Sequence, residues 1–196
     1  MSYGVCIKVW GQRACFTRPE MKAERVSYDV MTPSAARGIL ESIHWKPAIR
    51  WHVDRITVLN EIRFDTFRRN ELGSKGSATM AERAMKGAPV NISQVIELDR
   101  QQRATTFLTD VAYLIDAHFD LTDKAGSEDT AEKHYNIFLR RARSGQCYHR
   151  PSFGCREFAV EFEIVEGERP QSFHVGERDL GWMLHDIDFG DAMSPR

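Results

Sequence analysis

An α+β fold is predicted for this 196-residue chain by three observations. Segments that alternate apolar and polar residues recur along its length, as half-buried strands do. Two stretches instead carry apolar residues at helical spacing behind recognisable start signals, and they interleave with the strands. Composition fits a globular protein, with 42% hydrophobic and 28% charged residues and no apolar run near the length of a membrane span.

Residues 3–11 read as a strand, with Val5, Ile7 and Val9 on one face and Cys6, Lys8 and Trp10 on the other. Residues 16–29 are polar and basic, a loop ending in a short extended piece at 26–30. Thr32-Pro33-Ser34 starts a helix over 34–44, with Thr32 as cap, Pro33 in the first helical position, and Ala35, Ile39, Leu40 and Ile43 as its apolar stripe. Gly38 inside that helix costs about 1 kcal/mol relative to Ala and suggests close backbone packing or a ligand nearby. Pro47 ends the element. Residues 49–59 and 61–69 both alternate as strands, with Asn60 as a hairpin tip between them. Residues 72–89 hold Gly, Ser, Ala and Lys without clear period, which gives either a plain loop or a flap against nucleic acid.

Residues 101–121 return to strand character through Phe107, Val111, Tyr113, Ile115, Ala117 and Phe119, with a bulge or turn near Thr109-Asp110 joining the halves. A second helix spans 129–144. Asp129 and Glu132 form its capping box, Ile137, Phe138 and Ala142 recur at helical spacing, Arg140, Arg141 and Arg143 suit the negative end of the dipole, and Gly145 stops it. Residues 158–165 alternate cleanly, and 180–189 form another possible strand. The order β-α-β-β-(β)-α, then strands, is the split βαβ, ferredoxin-like plan shared by RNA-binding RRM domains, although the RRM aromatic signatures are absent. The expected organisation is a domain over 1–145 with a flexible insertion at about 72–100, followed by a β-rich segment over 146–196.

The N-terminus lacks the apolar centre of a signal peptide, so the cytoplasm is the default location. Cys6, Cys15, Cys147 and Cys155 form no CxxC pair and read as reduced thiols. Cys147, His149 and Cys155 are potential zinc ligands at a spacing that fits no standard site, so neither metal nor cofactor is expected. Net charge is −1, but residues 161–196 hold nine acids against three arginines, a balance of −6, and the first 160 residues carry +5. A basic body rich in arginine suits a nucleic-acid partner, and a chance gradient over a solvated surface accounts for it as well.

The chemistry concentrates at Lys133 and His134. They stand in the first turn of the second helix, where unpaired backbone N–H groups favour an anion, and an ammonium beside an imidazole suits a phosphate. The ordinary alternative is two solvated helix residues.

Three stretches go beyond periodicity: VSYDVMTPSAARGILESIHWKPAIRW (26–51), IRFDTFRRNEL (62–72), and KHYNIFLRRARSGQC (133–147) running into PSFGCREF (151–158). Together they closely resemble the Cas-five subunit of type I-C CRISPR systems, a member of the RAMP superfamily built on a ferredoxin-like domain. The resemblance implies an endoribonuclease that cuts precursor CRISPR RNA within the repeat hairpin and stays on the 5′ handle of the mature crRNA as a Cascade subunit. Its implied partners are the Cascade backbone and large subunits, with target DNA reached indirectly, and no membrane. The alternative is a non-catalytic subunit that caps the crRNA 5′ end.

The family's catalytic set is a Tyr before a Trp-Lys-Pro motif and a Lys-His pair opening the later helix. Here the pair is Lys133-His134, while His44 stands at the Tyr position. The segment between FRRNEL and Arg103 looks altered, and the chain stops at Arg196, short of the usual family end. Metal-free RNA cleavage uses the ribose 2′-OH as nucleophile and needs a base, an acid and a cation for the phosphorane. His44 is assigned as base, His134 as acid and Lys133 as charge stabiliser, with base and acid exchangeable. A packed or capping role for His44 is the ordinary alternative. Arg68, Arg69, Arg140, Arg141 and Arg143 are the expected phosphate contacts, together with Lys46 from the same motif as His44, and Trp45 or Phe16 is expected to stack on a base. His52 and His118 read as sheet residues, and the strand carboxylates of Asp54, Asp116 and Asp120 give no chelating cluster.

Overall fold

The computed structural model describes residues 3–187. Its elements are β1 (Gly4–Ala14), β2 (Arg25–Val26), α1 (Pro33–Ile43), β3 (Ile49–Val58), β4 (Phe64–Leu72), α2 (Ala78–Met85), β5 (Arg100–Leu121), α3 (Ala131–Arg143) and β6 (Glu161–Ile164). The chain divides into a larger unit, residues up to 65 together with those from 106 onward, and a smaller one, residues 66–105.

β5 is the organising strand, because β1, β2, β3 and β4 all pair with it. In the larger unit the order is β6-β1-β5-β3 with every neighbour antiparallel, from Gly4↔His118 to Ala14↔Leu108 on one side and from Ile49↔Leu121 to Val58↔Tyr113 on the other. The expected 49–59/61–69 hairpin therefore does not form. β3 and β4 each take β5 as partner, and Asn60 instead donates from Nδ2 to the carbonyl of Asp110 at 2.8 Å. Asp110 is the irregularity expected near Thr109, a non-glycine residue at φ +50°.

Side-chain alternation decides which face is buried. Val5, Ile7 and Val9 on β1, Ile115, Ala117 and Phe119 on β5, and Ile49 and Trp51 on β3 are all buried. Trp51 meets Phe119 at 5.1 Å and Phe138 of α3 at 4.9 Å between ring centroids, which seats α3 on this face. α1 packs on β3, α3 packs on β6, and the two helices touch. Thr32 caps α1 as expected, its hydroxyl accepting from the Ala35 N–H, a contact worth about 1 kcal/mol. Gly38 has open space where a Cβ would sit, so it does not mark close backbone packing.

The smaller unit corrects the expected featureless excursion. It contains α2, capped by the Ser77 hydroxyl, which accepts from the Met80 N–H. Its eight residues bury none of their side chains and are too few to show helical period in the sequence. β6 is the only strand among the described residues after α3. The strand expected at 180–189 is absent through residue 187, and 188 and 189 lie outside the described residues. This stretch instead covers the start of α1: the His185 carbonyl accepts from the Ser34 N–H at 3.1 Å, and Asp186 takes two 2.8 Å bonds from Arg37. Phe16, expected to stack on a base, is 3% exposed and packs edge-on against Tyr113 and Phe153. No helix among the described residues is long and apolar enough to cross a membrane.

Candidate active site

The last carbonyls of a helix have no partner inside it. In α1 each of the final three is met from a different part of the chain. The Tyr148 N–H donates to Ser42 O at 2.7 Å, Arg141 Nη1 to Ile43 O at 2.8 Å, and Trp51 Nε1 to His44 O at 2.9 Å. His44 is the C-cap, extended at φ −151° and ψ 117°, with its N–H on Leu40 O. These bonds fix the direction in which the His44 ring leaves the helix.

α3 delivers the partner. Its cap is Thr130 rather than Asp129, the Thr130 hydroxyl accepting from the Lys133 N–H at 3.2 Å. The helix thereby starts one residue later than the sequence suggested, and Gly145 at φ +63° ends it as expected. His134, Phe138 and Ala142, four residues apart in succession, form the buried face.

His44 Nε2 lies 3.0 Å from His134 Nδ1 across 90 residues of sequence, and the rings stack at 5.2 Å with 29° between planes. Each residue is 1% exposed. Asp129, freed from capping, lies with Oδ1 3.2 Å from His134 Nε2, at ion-pair range but off the line of a straight hydrogen bond. Its Oδ2 accepts from the Gly126 N–H at 3.1 Å. Lys133 is exposed; its Nζ donates to Glu128 O at 2.9 Å and lies 3.6 Å from Asp129 Oδ1.

Electrostatics separates these groups. Burial first, then His134 whenever it carries a proton, and the charges of Arg141 and Lys46, push the His44 imidazole down to about 4, so it is neutral at pH 7. The Gly126 N–H, helped by Lys133 and His134, holds the Asp129 carboxyl below the usual carboxylate range. His44 Nδ1 is buried without a hydrogen-bond partner.

The remaining sequence-predicted residues scatter. Trp45, 52% exposed, and exposed Lys46 follow His44 directly. Arg141 donates to the Ile43 carbonyl, and Arg143 pairs with Glu166 through Nε at 3.2 Å on an exposed surface. Arg140 is exposed on α3. Arg68 and Arg69 belong to the 66–105 unit, Arg68 exposed and Arg69 Nε held by Glu71 at 2.9 Å. The approach of Asp129 to His134 and that of the Tyr148 N–H to the end of α1 are not foreseen in the sequence. An acid five residues before a histidine and next to a better cap was the available signal for the first; the second, 88% exposed beside the end of α1, gave none. No group of three or more His, Cys, Asp or Glu side chains among the described residues is disposed to hold a metal.

An α+β sheet protein with two imidazoles paired beneath a helix start is the class that fold and site define. The chain belongs to the CRISPR-associated Cas5 family, whose Cas5d model matches residues 4–196. It is 53% identical over 201 residues to the CRISPR pre-crRNA endoribonuclease Cas5d of Mannheimia succiniciproducens, covering 100% of this chain and 89% of that protein. It is 43% identical over 183 residues to the protein of the same name from Thermus thermophilus, covering 93% and 72%. Among solved structures it is similar to a CRISPR-associated protein at 27% identity and TM-score 0.67, covering 94% of this chain and 80% of that one. A chain of a CRISPR RNA-guided surveillance complex, at 11% identity and TM-score 0.50 with 81% and 60% covered, shares the fold alone.

Proposed function

We propose that this chain is an endoribonuclease that cuts precursor CRISPR RNA within its repeat hairpin, without a metal, and then holds the 5′ handle of the crRNA within a Cascade complex. Two relatives at 53% and 43% identity carry the name CRISPR pre-crRNA endoribonuclease. The observation that brings this reading to the chain's own residues is the 3.0 Å approach of His44 to His134, beside the Lys133 ammonium.

One imidazole takes the proton of the ribose 2′-OH, the 2′ oxygen attacks phosphorus, and the other imidazole protonates the leaving 5′ oxygen. Lys133 leaves the Glu128 carbonyl to neutralise the phosphorane. The products are a 2′,3′-cyclic phosphate and a 5′-hydroxyl. The β6-β1-β5-β3 order with helices between the strands supports a ferredoxin-like, RAMP-type domain carrying the 66–105 unit as an insertion. Trp45, Lys46, Arg68 and Arg140 remain as RNA contacts on exposure alone.

A second reading, a guide-holding subunit that does not cut, is favoured by one observation: both imidazoles are 1% exposed, so RNA reaches them only when their cover moves. Incubation of the protein with repeat RNA in EDTA separates the two. A single cut that disappears in His134→Ala, and on 2′-deoxy substitution at the cut site, is expected of the enzyme. Tight binding with an intact RNA supports the holder.

A further inference from the structure

The roles above leave Asp129 idle. We infer that Asp129 is a positioning residue that sets the tautomers of both buried imidazoles and leaves His44 Nδ1 as the bare acceptor of the site. The inference rests on the nuclease reading of that site and adds the group that makes its base competent.

Hydrogen bookkeeping along the row Asp129–His134–His44 carries it. A carboxylate only accepts. Oδ2 of Asp129 is committed to the Gly126 N–H, and Oδ1 stands 3.2 Å from His134 Nε2, so the hydrogen of a neutral His134 ring is drawn to Nε2. A neutral imidazole carries one hydrogen, which leaves a lone pair on His134 Nδ1. The 3.0 Å contact from that atom to His44 Nε2 needs a hydrogen between the two, and His44 must supply it. His44, itself neutral, then has its lone pair on Nδ1, which like His134 Nε2 is buried without a hydrogen-bond partner but, unlike it, has no carboxylate among the described residues within ion-pair range.

The same row gives the proton a path. When His44 Nδ1 takes the 2′-OH proton, the His44 Nε2–H passes to His134 Nδ1. Positive charge then rests on His134 beside the Asp129 carboxylate, and His44 ends neutral in its other tautomer. Atoms and charge balance, with the negative charge on the attacking oxygen. His44, whose surroundings oppose the charged form, need never hold a full charge.

Asp129→Asn inverts the row without changing its shape. The Gly126 N–H still needs an acceptor and takes the amide oxygen, so the amide NH₂ faces His134 Nε2. That nitrogen must now accept, His134 carries its hydrogen on Nδ1 and donates to His44 Nε2, and His44 Nδ1 becomes N–H. A donor stands where the base was.

Two-bond ¹⁵N–¹H couplings of histidine-labelled protein at pH 7.5, without RNA, read the tautomers directly. The expected result is Nε2–H at both His44 and His134 in the unaltered protein and Nδ1–H at both in Asp129→Asn. In parallel, single-turnover cleavage of repeat RNA falls at least ~100-fold in Asp129→Asn while RNA affinity stays within about twofold. Nδ1–H at His134 in the unaltered protein overturns the inference, as do tautomers that persist in the variant or a variant that cuts at the unaltered rate. The spectrum needs no substrate. Expected tautomers with uncut RNA therefore defeat the nuclease reading alone, and cut RNA with the opposite tautomers defeats this inference alone.

Discussion

Two stacked histidine pairs sit in this molecule, and their rings are almost equally far apart. His44 and His134 stack at 5.2 Å and 29°, His52 and His118 at 5.1 Å and 18°. The second pair is directly cross-strand on β3 and β5 and stays open to water, its side chains 42% and 29% exposed. Each of its rings also has a carboxylate of its own, Asp120 at 3.3 Å from His52 and Asp54 at 2.8 Å from His118. The buried pair shares one carboxylate, at the far end of one ring. Stacking is thus common to both, and what separates them is the supply of water and acceptors. A ring with its own carboxylate in water has nothing to pass on, whereas a ring denied both must hand its proton to a neighbour.

The sharpest way to break this contrast is truncation. His134→Ala is expected to lower the cleavage rate on the order of 10²–10⁴-fold, while His118→Ala leaves it within about twofold, both read by single-turnover assay with repeat RNA. Equal losses would abolish the distinction.

Acid stability sharpens it further. The His44 imidazole titrates near 6.5 in the unfolded chain and at about 4 in the fold, so the unfolded chain binds the proton first. The stability that neutral His44 contributes is complete above pH 6.5 and is lost as pH falls toward 4. Between pH 7.5 and 4.5 the unaltered protein is expected to lose about 2 kcal/mol more than His44→Gln, measured by urea unfolding at both pH values. A variant with the same slope would place the titration elsewhere.

Smaller effects follow at the supports of each pair. Arg141→Met removes the donor to the Ile43 carbonyl and is expected to cost ~1–3 kcal/mol in thermal or urea unfolding. His52→Ala breaks an exposed contact with Asp120 and is expected to change stability by less than about 1 kcal/mol.

Much of this was readable before any coordinates, and what was not has definite causes. The α1 start at Thr32-Pro33 is local chemistry, and local chemistry is written in the sequence. The likeness to the family named His44, Lys133 and His134, and the fold brings the two imidazoles together. Strand pairing is long-range: nothing around Asn60 announces that β3 and β4 both seek β5, across more than 40 residues in the case of Val58 and Tyr113. Asp129 was misassigned because two adjacent residues could each cap α3, and once Thr130 took the cap the carboxylate turned to His134. The bond from Arg141 to the Ile43 carbonyl is not legible in the sequence, because a cation in a last helical turn looks the same whether it faces RNA or the end of another helix.

The three donors that close the end of α1 come from β3, α3 and the stretch beyond it, and they arrive in the order in which the chain is made. A nascent chain that has emerged only through β3 lacks β5, the partner of β1 and β3, and lacks the second imidazole, and therefore has no site. The pairing of the two imidazoles waits on the last third of the sequence. The sheet and the imidazole pair are thus completed late and together, since β5 and α3 follow one another in the chain.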